Sequence, residues 1–159
     1  MLVLAGILLS RGNLHQIFGV PPTPQGERLY TDFTPADITQ ISLNTNGVTA
    51  KFSRASGVWM MTEPAKDRMD PRWAKTLIDF TLATRAADVI PNEKIDETQA
   101  GLKDGMVYVR LADKEGKARA KYVIGRRTAW FTTDAETEEL VPTVFLQPRD
   151  RSRKSHIYA

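Results

Sequence analysis

Two histidines, His15 and His156, and no cysteine make up all the imidazole and thiol chemistry in this chain of 159 residues. Neither histidine has a second histidine or a glutamate at a ligand spacing, so a transition-metal centre would have to be built mainly from carboxylates. Serine hydrolysis has no Gly-x-Ser-x-Gly elbow to use, and Arg54-Ala55-Ser56-Gly57 reads as a turn. The stretch Gly101-Leu102-Lys103-Asp104-Gly105 lacks the spacing and the Lys-Ser/Thr ending of a phosphate-binding loop. No catalytic, cofactor-binding or metal-ligating residue is therefore assigned. The expectation is a protein that is not an enzyme and carries no cofactor.

Two charged groups remain. Asp134, Glu136, Glu138 and Glu139 offer hard oxygen ligands, but without the Gly-centred loop and closing bidentate glutamate of a calcium site. They read as a solvated acidic connection. Lys117, Arg119 and Lys121 alternate along one strand face, with Arg126 and Arg127 just beyond, and form the candidate surface for an anionic partner. The same pattern also describes an exposed strand guarded by charge. A nucleic-acid surface would interleave aromatic side chains on that face, and Tyr108 and Tyr122 do not supply them, so nucleic acid is not the expected partner.

These residues need strands to place them. Ile41 and Leu43 alternate with Gln40, Ser42 and Asn44, and Asn46-Gly47 suits the two positive φ angles of a type I′ hairpin. Val48, Ala50 and Phe52 then face inward on the returning strand. The run Val58 to Thr62 follows a turn at Ser56-Gly57, is apolar on both faces and stops at Pro64. Asp70-Pro71 is a helix start, because the Asp side chain accepts from free N–H groups and Pro has the required φ. Trp73, Leu77 and Phe80, beside Ala74, Ile78 and Leu82, form an apolar stripe that predicts a helix to about Ala87 packed on the sheet. A short polar helix is expected over Glu93 to Ala100.

A second strand group follows: Val107 to Leu111, then Ala118 to Ile124 after a turn at Asp113-Lys114-Glu115-Gly116, then Trp130 to Thr132 and Val144 to Leu146. Trp59, Trp73, Phe80, Trp130 and Phe145 are expected in the core, since burial of one large side chain contributes about 1.5 to 3 kcal/mol. The predicted fold class is α+β, an antiparallel β-sheet from two strand groups with one main α-helix packed on a face.

Bulk composition agrees with one folded domain. Hydrophobic residues make up 42% and charged residues 26%, which argues against wholesale disorder, and a net charge of +3 falls short of a dedicated nucleic-acid binder. Met1 to Leu9 is an unbroken apolar run, too short to cover a hydrocarbon layer of roughly 30 Å. It reads as a signal sequence or membrane anchor lacking its basic leading segment; its alternative is a buried first strand or helix. Pro21, Pro22 and Pro24 then mark a spacer. The predicted organisation is an apolar anchor or signal remnant over 1–10, a Pro-rich spacer over 11–28, the folded domain over 29–148 and a basic tail over 149–159.

The segments Asp32-Phe33-Thr34-Pro35-Ala36-Asp37-Ile38-Thr39-Gln40-Ile41, Gly57-Val58-Trp59 with Thr62-Glu63-Pro64, the Asp-Pro-led helix and Gly101-Leu102 occur in an order that resembles the DUF4340 (domain of unknown function) family of bacterial proteins. The likeness spans about residues 29 to 147. It departs at Lys103-Asp104-Gly105, where the family commonly has a Pro-containing segment. The resemblance implies an N-terminal transmembrane anchor, an extracytoplasmic α+β region and, for some members, association with ABC transporter components of the gliding-motility type. It supplies no catalytic residue. The expected function is a non-catalytic, membrane-tethered extracytoplasmic module assisting a transport or cell-envelope assembly, with an envelope or transporter protein as partner. The alternative is a binder of an anionic polymer or nucleic acid through the basic strand face.

Overall fold

The computed structural model describes residues 26–103, 106–133, 139–150 and 156–158. The predicted anchor at Met1 to Leu9, the Pro-rich spacer as far as residue 25, and the carboxylates Asp134, Glu136 and Glu138 lie outside them. Strands β1 (Gln40–Thr45), β2 (Val48–Ala55) and β3 (Val58–Glu63) form a meander, and the two-residue β4 (Asp67–Arg68) pairs on its edge. Helix α1 (Pro71–Ala83) follows, then β5 (Val89–Pro91), β6 (Val107–Ala112), β7 (Ala118–Thr133), β8 (Leu140–Pro148) and β9 (His156–Tyr158). All nine strands join one antiparallel sheet in the order β4-β3-β2-β1-β6-β7-β8-β9-β5.

The fold is thus mostly β, which corrects the α+β expectation. Among the described residues, one α-helix of 13 residues stands against a nine-stranded sheet. Three local causes account for the difference. The segment expected to form a second helix makes only a 3-10 turn at Asn92–Lys94, after which Asp96 ties the amides of Thr98 and Gln99 to its own carboxylate in a turn. The pieces read as separate strands at 118–124 and 130–132 are one 16-residue strand. The two strand groups are also continuous, because β1 pairs with β2 on one side and with β6 on the other.

The local chemistry behaves as the residues dictate. Asn46 and Gly47 adopt φ of 50° and 79° in the β1–β2 turn, and Ser56 and Gly57 repeat the arrangement between β2 and β3. Asp70 caps α1 by accepting from the Arg72 amide at 2.9 Å, with Pro71 at the first helical position. The helix stops at Ala83, short of the expected Ala87. There Thr84 turns its hydroxyl onto the Phe80 carbonyl, while residues 84–86 extend to pair with Glu27, Arg28 and Leu29.

α1 packs on the sheet face that carries Ile41, Trp59, Val109, Leu111, Ala120, Tyr122 and Leu146, with Tyr30, Phe33 and Ile38 closing the same core. A smaller cluster of Ala100, Leu102, Val123 and Ile157 covers part of the opposite face, with Ile95, Tyr108 and Phe145 against it. Trp59 is 5% exposed and belongs to the core as expected. Trp73, Phe80 and Trp130 do not: they are 59%, 41% and 50% exposed. α1 meets the sheet through Ala74, Ile78 and Thr81 rather than through the flank bearing Trp73 and Phe80, and Trp130 lies on the part of β7 beyond its pairing with β6. Phe145 is half-buried against the second cluster. Val58 is also exposed, so β3 is not covered on both faces.

Candidate functional site

The five basic residues singled out in the sequence do not form one patch. Between Ala118 and Ala120 the register of β7 against β6 shifts by one residue, Ala118 opposing Ala112 and Ala120 opposing Leu111. Such a bulge breaks strict alternation and re-aims the extra side chain. Arg119 accordingly donates through Nε to Asp113 Oδ2 at 2.9 Å, and Asp113 is itself buried and accepts from the Lys117 amide at 2.8 Å. Lys117 stands exposed in the preceding turn. Arg126 and Arg127 lie farther along β7, where the Arg126 stem covers Gly101 and the Arg127 guanidinium sits 5.9 Å from the Phe131 ring centre.

Lys121 alone remains in the sheet face opposite α1, and there it meets cations that the sequence reading did not include. It opposes Arg110 on β6; Arg110 opposes Ser42 on β1; Ser42 opposes Lys51 on β2. On its other side the Arg149 amide donates to the Lys121 carbonyl at 2.7 Å, continuing the β7–β8 register one step past Tyr122 and Pro148. Directly opposed residues of antiparallel strands project to the same face. Lys51, Ser42, Arg110, Lys121 and Arg149 therefore make a row running across the strands. Lys51 is exposed and pairs with Glu63 at 2.9 Å, while Arg110 donates to the Gly116 carbonyl at 2.6 Å; Arg110, Lys121 and Arg149 are half-buried. Polar side chains flank the row, Gln40 and Ser53 on one side and Asn44 and Thr49 on the other. Tyr108 shares this face beside Arg110, whereas Tyr122 is buried under α1. The row was legible only in part: alternation shows which residues share a strand face, but an alignment across strands requires register.

A second feature is an arm. β7 pairs with β6 only as far as Ile124, and from there to Thr133 it pairs with β8 alone among the described residues. The eight residues from Arg126 to Thr133 extend about 26 Å at the rise of an antiparallel strand. Trp130, Phe131 and Leu140 are 50%, 58% and 72% exposed on this ribbon. Trp130 packs edge-on against Phe145 at 5.9 Å, which links the arm to the second core cluster.

No constellation for acid–base or nucleophilic chemistry accompanies either feature among the described residues, and no group of three or more metal-ligating side chains is found there. The largest pKa displacement belongs to Tyr122, whose phenol is pushed up to about 12 by burial. That residue lies within the helix–sheet core and reads as structural. An open cleft of about 490 Å³ is lined by Gly26, Leu29, Ala86, Val89 and Tyr158 together with the charged Glu27, Arg28 and Asp88. Among the described residues no helix is long and apolar enough to cross a membrane. Comparison with protein-family models, with curated proteins and with solved structures finds no match to this chain.

Proposed function

We propose that the protein is a non-catalytic module, tethered at a membrane through Met1 to Leu9, that serves a transport or cell-envelope assembly on the extracytoplasmic side by docking a protein partner on the β7–β8 arm. The observation that carries this reading is the arm itself: a two-stranded extension of the sheet with Trp130, Phe131 and Leu140 exposed along it. Isolated two-stranded ribbons gain little from their own packing. A strand edge that pairs with no other described strand beyond Arg126, with aromatic anchors beside it, is the arrangement by which one chain adds a strand to another, with backbone hydrogen bonds supplying affinity and side-chain pockets supplying selectivity. The apolar N-terminal run, the Pro-rich spacer and the resemblance to the DUF4340 family support the tethered, extracytoplasmic part of the reading.

The test uses the full chain in its native cells, with a photoreactive residue in place of Leu140. The expected result is recovery in the membrane fraction and a discrete adduct with a membrane or envelope protein. The adduct is lost when Trp130 and Phe131 are both changed to Ser, although the melting temperature is retained. Recovery of the native chain in the soluble cytosolic fraction would defeat the tether, and an adduct unaffected by the double substitution would defeat the arm as the docking element.

A further inference from the structure

We infer that the sheet face opposite α1 binds an acidic polysaccharide laid across the strands along Lys51, Arg110, Lys121 and Arg149. The inference rests on the cation row and stands whether or not the arm docks a protein. Lys51, Arg110, Lys121 and Arg149 come from β2, β6, β7 and the end of β8, and only Ser42 on β1 interrupts them. With strands about 4.8 Å apart, the row covers about 19 Å. That is the reach of several sugar units rather than of a single small anion.

The arrangement is unfavourable for the isolated fold. Arg110 and Lys121 are like charges directly opposite each other, which destabilises a strand pair. Glu63 lies at the far end with Lys51, Asp113 is held by Arg119 and by the turn amide of Lys117, and Glu97 accepts from the Gln147 side chain. Arg110, Lys121 and Arg149, three half-buried cations in sequence across the sheet, break the rule of interspersed surface charge, and such breaks are expected at functional surfaces. Low-dielectric backbone beneath the row strengthens its field toward an incoming anion.

The flanks select the kind of polyanion. Gln40, Ser42, Asn44, Thr49 and Ser53 surround the row with amides and hydroxyls, which exchange hydrogen bonds readily with sugar hydroxyls. Asn44 already donates to the Thr49 hydroxyl at 2.7 Å, so these side chains are ordered in a polar lattice. Single-stranded nucleic acid needs a succession of aromatic platforms for its bases, and among the described residues of this face Tyr108 and Phe145 are both packed against the second core cluster. A hydroxyl-rich chain bearing carboxylate or sulfate groups fits both the cations and their neighbours.

The experiment titrates the full-length chain at low ionic strength with three probes matched in charge: oligogalacturonate, a heparin-type sulfated oligosaccharide and oligo-dT. The expected result is binding of at least one saccharide that weakens as salt is added, with its amide shifts centred on Ser42, Arg110 and Lys121. The saccharide arms distinguish carboxylate from sulfate. Lys121→Glu and Arg149→Glu should each weaken the saccharide about tenfold or more, whereas Lys66→Glu, the same charge change at an exposed site off the row, should alter it less than about twofold. Lys121→Glu places a carboxylate beside Arg110 and is expected to keep the fold, which its melting curve checks. Equal or tighter binding of oligo-dT, equal loss in the Lys66 variant, or no saccharide binding at low salt would overturn the inference.

Discussion

The hydroxyls of Thr81 and Tyr122 lie 2.7 Å apart and join α1 to β7 inside the core. Thr81 also donates to the Leu77 carbonyl at 2.9 Å, which commits its one proton and makes Tyr122 the donor of the shared bond. The two possible deletions are therefore unequal. Tyr122→Phe leaves Thr81 with its backbone acceptor and should cost about 1 kcal/mol. Thr81→Val strands a fully buried phenol and should cost more, about 1 to 3 kcal/mol for the unsatisfied group alone. Urea unfolding of both variants checks the order, and a larger loss in Tyr122→Phe would contradict this donor assignment.

The same pair predicts an alkaline instability. The folded phenol titrates at about 12, above its ordinary 10.0, because burial disfavours the anion. Below the ordinary value both states keep the proton and the contribution is fully present. As pH rises from 10.0 towards about 12 the unfolded chain releases its proton first, so unfolding is increasingly favoured. The two-unit displacement corresponds to about 2 to 3 kcal/mol, lost across that window. Tyr122→Phe removes the titration. Its stability relative to the native protein should rise with pH until the neutral-pH deficit closes and inverts, whereas a constant gap between the two proteins would refute the linkage.

Local backbone chemistry was legible in the sequence because its causes are local. Asn46-Gly47, Ser56-Gly57 and Asp70-Pro71 fold as their residue types require. Burial was legible only where one partner settles it. Trp59 is enclosed by the core, with Arg54 across its ring at 5.7 Å, whereas Trp73 and Trp130, expected in the core on the same grounds of side-chain size, lie exposed. Periodicity says which residues share a face but not what covers that face. The basic surface shows the same limit: the bulge at Arg119 and the opposition of Arg110 to Lys121 are properties of register, which couples residues from different hairpins.

The contrast between tryptophans is measurable. Trp59→Ala removes a ring that is 5% exposed and should cost about 3 to 5 kcal/mol, enough to unfold a domain of ordinary stability. Trp73→Ala acts on a ring that is 59% exposed on the outer flank of α1 and should change stability by less than about 0.5 kcal/mol. Thermal melts of the two variants decide it. A sharp native-like transition in Trp59→Ala would remove that residue from the core, and an equal loss in Trp73→Ala would mean that the α1 flank is packed in solution.

Gly125 is where β7 leaves the body of the sheet and begins the arm, and its missing side chain is what allows the second cluster to close. A Cβ there would meet the Ala100 carbonyl oxygen at 2.3 Å and the Leu102 side chain at 3.0 Å. That same carbonyl accepts from the Arg126 amide at 2.7 Å, so the contact cannot relax without giving up a backbone hydrogen bond and loosening Ala100 and Leu102 over Val123 and Ile157. Gly125→Ala should cost at least about 1 to 3 kcal/mol by overpacking and speed amide exchange at Arg126. Gly47→Ala offers the comparison, because no atom lies within 4 Å of a Cβ built there and only its φ of 79° opposes the change. Its cost should be about 1 kcal/mol, with exchange at Arg126 unchanged. If the two alanine variants lose stability equally and leave Arg126 equally protected, then the Ala100 turn does not hold the base of the arm, and the ribbon owes its direction to its own strand pairing.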